Sequence, residues 1–239
     1  MAARPRRTKR DKAKRFACWN ADGVRGRNLE LKHFLNQHNV DICLLSETFL
    51  YSGQAFRLAN YVCHRTDKLT AGDGTAILAR RGTVHPSEPV PGLTHLEATV
   101  IQVALAGKPV KILAAYLSPF LPVIGADLSA CFCGGLPVLM AGDLNTEHVD
   151  WNLRLGTRWG KLLRDYADEN FFLIFGPDTP TTNPYSPSTN PDVLNIVITK
   201  NLTSPVYLTS CPTLSSDHLS VLTDTTCSLP FKHPPHQTY

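Results

Sequence analysis

The apolar and polar positions of the chain fall into short apolar runs parted by turn residues, with only three stretches of helical spacing. Phe16–Asn20 predicts a strand ending on a polar residue, and Ile42–Leu45 predicts another that runs into Ser46-Glu47-Thr48. Thr75–Ala79, Ala98–Ala104 and Val110–Tyr116 predict three more, divided by Gly- and Pro-bearing turns. Val138–Ala141 reads as a buried strand stopping at Gly142-Asp143-Leu144-Asn145, and Val193–Thr199, Val206–Thr209 and Leu219–Thr223 complete the series. Asn28 is placed to cap a helix through about His38, with Leu31, Phe34, Leu35 and His38 near one face. Asp127–Cys133 predicts a short helix stopped by Gly134-Gly135, and a third helix is expected over about Gly160–Asn170. Pro177–Pro191, crowded with Pro, Thr, Ser and Asn, predicts a long loop or irregular hairpin.

Many strands, few helices and mixed connections point to sheets covered by helices, and 239 residues suffice for one substantial core. In such folds, polar residues at strand ends are where chemistry is expected. An apolar share of 43% with 18% charged residues fits a globular chain.

Charge changes the picture at one end only. Residues 1–15 carry eight basic side chains against Asp11, a net +7 that leaves −3 for residues 16–239. This basic leader reads as a solvated segment, an attachment to nucleic acid, or a nuclear-localisation signal, and these readings are compatible. Residues 16–226 form the expected domain, and 227–239, rich in Pro and His, a tail or the start of a linker. Seven scattered cysteines argue against a disulfide framework, and Cys131-x-Cys133 lacks the second pair a zinc site needs. There is no apolar stretch of secretory or membrane-spanning type, so a reducing, intracellular and specifically nuclear setting without a membrane partner is expected.

The chemistry-bearing residues stand at the strand ends. Singly, each has an ordinary reading: Glu47 a solvated strand end, Asn20 a cap, Asp143 and Asn145 an Asx-turn, Asp217 and His218 a surface pair, Tyr116 core. In order, however, the chain carries Trp19-Asn20-x-Asp22-Gly23, Ser46-Glu47-Thr48, Tyr116-x-Ser118-Pro119, Gly142-Asp143-Leu144-Asn145 and Ser216-Asp217-His218, each behind an apolar run. This ordered set over about residues 16–224 resembles the endonuclease/exonuclease/phosphatase superfamily, which includes the AP endonucleases of DNA repair. Gly74-Thr75-Ala76-Ile77-Leu78, Pro191-Asp192-Val193-Leu194 and the run from Leu136 to Trp151 look, closer still, like the endonuclease domain of jockey-type non-LTR retrotransposons.

The resemblance implies an α/β four-layered sandwich, two packed mixed β-sheets flanked by helices. It implies an Mg2+-dependent phosphodiesterase (with Mn2+ as a substitute) that nicks double-stranded target DNA, with a reverse transcriptase expected downstream in the parent polyprotein. Mg2+ suits such work because it takes one or two carboxylates and fills its shell with water and phosphate oxygens. Glu47 would be the principal metal ligand, supported by Asn20, with Asp22 and Asp217 as further ligand candidates. Asp143 would orient or deprotonate the attacking water, or protonate the leaving group, while Asn145 positions water and phosphate. His218 and Tyr116 would donate to the phosphate, and Arg25, Thr182 and Ser118 would touch the DNA backbone. Tyr185, in the Asn183–Pro191 loop, would stack or wedge in the minor groove or simply stand exposed. His148, Trp151 and Trp159 read as packing residues.

One position departs from the family pattern. Leu194-Asn195-Ile196 stands where an aspartate is expected to accept a hydrogen bond from the catalytic histidine. A neutral amide removes the charge that holds the imidazole, and the comparable exchange in a Ser-His-Asp triad costs about 10^4 in kcat as an upper guide. Reduced activity is therefore expected. An abasic-site repair endonuclease and a catalytically silent DNA-binding remnant are the competing readings.

Overall fold

The computed structural model of the chain describes residues 14–67, 73–89, 92–152, 156–183 and 190–225. Successive side chains of a strand point to opposite faces, and β1 (Lys14–Asn20) shows what this does here. Ala17 and Trp19 pack with α1 (Asn28–Gln37), while Phe16 and Cys18 face the other way into a second core. β1 is the centre of a six-stranded sheet in the order β10-β11-β1-β2-β4-β3. Its other strands are β2 (Ile42–Ser46), β3 (Tyr61–Thr66), β4 (Thr75–Arg80), β10 (Tyr207–Cys211) and β11 (Ser220–Thr225). β1 runs parallel to β2, and the remaining pairings of this sheet are antiparallel.

A five-stranded sheet, β5-β6-β7-β9-β8, forms the second half. It holds β5 (Glu97–Leu105), β6 (Lys108–Tyr116), β7 (Val138–Asp143), β8 (Leu173–Phe175) and β9 (Asn195–Lys200), with only β6 and β7 parallel. Its outer face packs Leu113, Val138, Met140 and Ile198 against Leu128 and Cys131 of α2 (Gly125–Cys131) and Leu163 and Ala167 of α3 (Arg158–Asn170). The inner faces of the two sheets meet through Phe16, Ile42, Leu44 and Ile77 on one side and Ile112, Leu139 and Val197 on the other. Each such fully buried side chain contributes about 1.5–3 kcal/mol of transfer free energy. The layers therefore run helix, sheet, sheet, helices: the two packed mixed sheets of the expected α/β sandwich.

Several boundaries moved for identifiable reasons. β1 begins at Lys14, inside the expected basic leader, because Arg15 is tied down. Its guanidinium donates to both carboxylate oxygens of Asp224 at 2.7 and 3.0 Å and to the His38 carbonyl at 3.1 Å. The leader as far as residue 13, and the tail from residue 226 with Cys227, lie outside the described residues. Asn28 is the first helical residue and not the cap; Arg27 holds the cap position without a side-chain cap. α3 starts at Arg158, where the Thr157 hydroxyl accepts from the Gly160 amide at 3.1 Å. The edge strands β3 and β8 were not foreseen. β3 carries His64, Arg65 and Thr66 on a half-buried edge, and β8 has three residues, so neither shows a core period.

Candidate active site

The strand alternation that builds the inter-sheet core also builds the site. Extending the inward-facing row of β1 beyond Phe16 and Cys18 leads to Asn20. The same step takes Ile112 and Ala114 of β6 to Tyr116, and Leu139 and Ala141 of β7 to Asp143. On antiparallel β9, the row through Val197 begins at Asn195. Tyr116, Asp143 and Asn195 are register partners across β6, β7 and β9, as Asn20 and Ser46 are across β1 and β2. Polar side chains thus close one mouth of the apolar sandwich.

Asn20 joins the halves. Its amide nitrogen donates to Glu47 Oε1 at 2.8 Å and to Asp143 Oδ2 at 2.8 Å, so one side chain bridges two carboxylates from different sheets. Its own Oδ1 accepts from the Asp22 amide at 3.1 Å. Asp143 Oδ1 accepts from the Asn145 amide at 3.0 Å, and Asn145 Nδ2 donates to the Leu117 carbonyl at 3.0 Å. Asp22, Glu47 and Asn145 all have positive φ, at 41°, 47° and 46°. Asp and Asn tolerate this region, but for Glu47 it costs energy that the surrounding contacts must offset, a strain of the kind found at functional sites.

Burial is the main influence on Glu47, pushing its carboxyl above the ordinary value; Asn20, Tyr116 and His218 pull it down, and Asp143 pushes it further up. Tyr116 is held far above the ordinary phenol range by burial, then by Glu47, Asp143 and Asp73, so it is a neutral hydrogen-bond donor.

These groups line a cleft of about 410 Å³ with Asp22, Asp73, Ser118, Pro119, Phe120, Asp217 and His218. His218 Nδ1 lies 3.5 Å from Asp143 Oδ2, and Nε2 lies 4.0 Å from Asp217 Oδ1. The expected link from Asn195 to His218 is not formed. Asn195 donates its amide to the Leu219 carbonyl at 3.2 Å, and both Asn195 Oδ1 and His218 Nδ1 are buried without a hydrogen-bond partner. Asp192 offers no carboxylate in its place: it precedes β9, and its Oδ1 accepts from the Val193 amide at 3.0 Å.

Three positioning residues escaped the sequence reading. Trp19 Nε1 donates to Ser216 Oγ at 3.0 Å and to the His218 carbonyl at 3.1 Å. Ser216 Oγ also accepts from the His218 amide at 3.0 Å and lies 2.9 Å from the Asn20 carbonyl, so Trp19 and Ser216 fix the histidine loop to β1. Both stood inside the recognised motifs, which was the available signal. The third is Arg27, which donates to the Ala21 carbonyl and approaches Asp22 at 3.8 Å, while Arg25 is exposed in the turn before α1.

Thr182 is buried, and its hydroxyl exchanges hydrogen bonds with the Asp192 backbone, accepting from N–H at 2.8 Å and donating to the carbonyl at 3.1 Å. It bridges to His218 through the backbone and so supports the loop instead of presenting a hydroxyl to solvent. Tyr185 lies outside the described residues. Trp151 is buried in the α3-side core, Trp159 packs against it, and His148 accepts from the Asp150 amide, all structural roles.

Against this geometry the comparison with known families is decisive. The model described as the Endonuclease/Exonuclease/phosphatase family matches residues 17–218. The chain belongs to that family. Among family relatives, the RNA-directed DNA polymerase from mobile element jockey of Drosophila funebris is 25% identical over 225 residues, covering 92% of this chain and 24% of that protein. Its Drosophila melanogaster counterpart is 27% identical over 219 residues, 87% of this chain and 23% of the relative. The chain thus spans about a quarter of the length of these curated relatives. Of solved structures, the endonuclease domain of TRAS1, a telomere-specific non-LTR retrotransposon, shares the fold at a TM-score of 0.73 and 15% identity, covering 89% of this chain and 98% of that one. The AP endonuclease LMAP from Leishmania major shares it at 0.69 and 14%, covering 90% and 88%.

Proposed function

We propose that this chain is an Mg2+-dependent DNA endonuclease that nicks target DNA for a retrotransposon. The observation that carries the reading is the Asn20 bridge between Glu47 and Asp143, in one cleft with Tyr116, Asn145 and His218. The donor set fits a hard cation, being carboxylate and amide oxygens without sulfur. Glu47 would hold it, with Asn20 fixing the carboxylate and Asp22 and Asp217 at the cleft wall. When bound, Mg2+ supplies charge neutralisation at the phosphate and lowers the pKa of a coordinated water.

The chain's own residues supply the rest. Asp143, held by Asn20 and the Asn145 amide, is fixed for proton transfer to or from the reacting oxygen. Tyr116, kept as a neutral phenol, donates to a phosphate oxygen, and His218 adds a second donor. Because Asn195 gives His218 Nδ1 neither a charge nor a hydrogen bond, and the nearby Asp143 carboxylate is shared with Asn20, turnover is expected to be low. The relatives' names support a parent polyprotein with a reverse transcriptase, and the basic leader supports nuclear localisation.

Supercoiled plasmid with Mg2+ tests the reading. The open-circular form should accumulate, and should disappear with EDTA or Glu47→Ala. Nicking that survives both would defeat it.

A further inference from the structure

The cleft is acidic, as suits a divalent cation, and its lining offers DNA no direct ionic contact. Its walls carry Asp22, Glu47, Asp73, Asp143 and Asp217, and no lysine or arginine lines it among the described residues. Phosphate contacts ordinarily supply most nucleic-acid affinity through basic side chains, so the contact that the cleft's own lining can add beside a metal ion is a non-ionic one. One large apolar side chain lines this cleft, Phe120, which is 91% exposed.

Its exposure is built into the loop. The Leu121 amide donates to the Ser118 carbonyl at 3.0 Å, closing a turn in which Pro119 holds the second position and Phe120 the third. Leu121 packs against the helix-side core, anchoring one end. At the other end the Leu117 amide donates to the Asp143 carbonyl at 3.0 Å, and Asn145 Nδ2 donates to the Leu117 carbonyl. The turn is therefore tied to the two residues placed at the scissile bond, and the ring is presented at the rim of their cleft on a stiff support. A rigid aromatic gives up little conformational entropy on stacking, and every base offers it a flat face.

We propose that Phe120 stacks on a nucleobase adjacent to the scissile phosphate, wedging at a step that opens easily. The proposal rests on the endonuclease reading above. It makes Phe120 a binding and specificity residue, favouring the flexible pyrimidine–purine steps.

Binding of a short fluorescein-labelled duplex, in Mg2+ and in an Asp143→Asn background, tests it. Phe120→Ala should raise Kd roughly 5- to 100-fold. The slope of log K against log salt should stay unchanged, because no ion pair is lost. Phe120→Trp should restore binding, and Tm should not move in either variant, since the side chain packs on nothing. If the background protein binds and Phe120→Ala binds as well, or the Trp variant is no better than Ala, the stacking role is wrong and the endonuclease reading survives. If no variant binds DNA, both fall together.

Discussion

His218 Nδ1 lies 3.5 Å from Asp143 Oδ2 and makes no hydrogen bond with Asn195, whose Oδ1 is buried and unpaired while its amide nitrogen donates to the Leu219 carbonyl. No hydrogen bond therefore fixes the tautomer of the imidazole, and the carboxylate nearest Nδ1 is the one that Asn20 already holds. Asn195→Asp loses the bond to the Leu219 carbonyl, because a carboxylate has no N–H to give, but supplies a carboxylate partner for Nδ1. We expect plasmid nicking to rise about tenfold or more, well inside the range seen for the reverse exchange in triads. An initial rate no higher than wild type would show that His218 works without a carboxylate.

Asn20 keeps Glu47 and Asp143 at hydrogen-bonding distance from one amide. Asn20→Ala leaves two carboxylates from facing sheets without their shared donor. Activity or Mg2+ affinity should fall roughly 10- to 100-fold, as for other residues that orient metal ligands. Titration of the metal dependence of nicking measures both.

Glu47 gives a pH prediction. Burial raises its pKa in the folded chain, so between the unfolded and folded values the native state binds more protons, and stability falls as pH rises through that window. Glu47→Gln keeps an acceptor for Asn20 and removes the charge. Its Tm should exceed that of wild type at neutral pH, with the gap closing as pH drops below the ordinary glutamate range, and it should not nick. Mg2+ should raise the Tm of wild type but not of the variant. Thermal scans across pH, with and without Mg2+, decide.

Gly142 allows the parallel strands β6 and β7 to approach. A Cβ at this position would lie 1.7 Å from the Ala115 carbonyl oxygen, one step from the Tyr116 and Asp143 pair. Gly142→Ala must separate backbone from backbone, at a cost of about 3 kcal/mol or more. A urea midpoint equal to that of wild type would contradict this.

How much of this was legible in the sequence depends on what each residue answers to. Phe16, Cys18 and Asn20 obey the two-residue period of a strand, so the row leading into the site is written in the apolar pattern. Leu139, Ala141 and Asp143 behave alike. The motif residues Glu47, Tyr116, Asn145 and His218 share one cleft as the ordered set implied. What did not show was partner choice. Nothing in Leu194-Asn195-Ile196 says that the amide turns to Leu219, since that depends on a loop from elsewhere in the chain. The roles of Thr182 and Arg27 were hidden for the same reason: a threonine hydroxyl or a guanidinium takes the nearest acceptor, and distance in space is set by the fold. Phe120 was invisible because exposure of a single aromatic has no period.

β1 is flanked by β11, so the first described strand is hydrogen-bonded to the last, Lys14 opposite Thr225. The six-stranded sheet is consequently incomplete until nearly the whole domain has been synthesised, and Ser216 and His218 arrive just before that final strand. A nascent or prematurely terminated chain ending before them holds Glu47, Asn20 and Asp143 but no histidine loop. Truncation ahead of Ser216 would thus part the carboxylate side of the site from its histidine, because the two are brought together by the sheet's closing strand and not by neighbouring sequence.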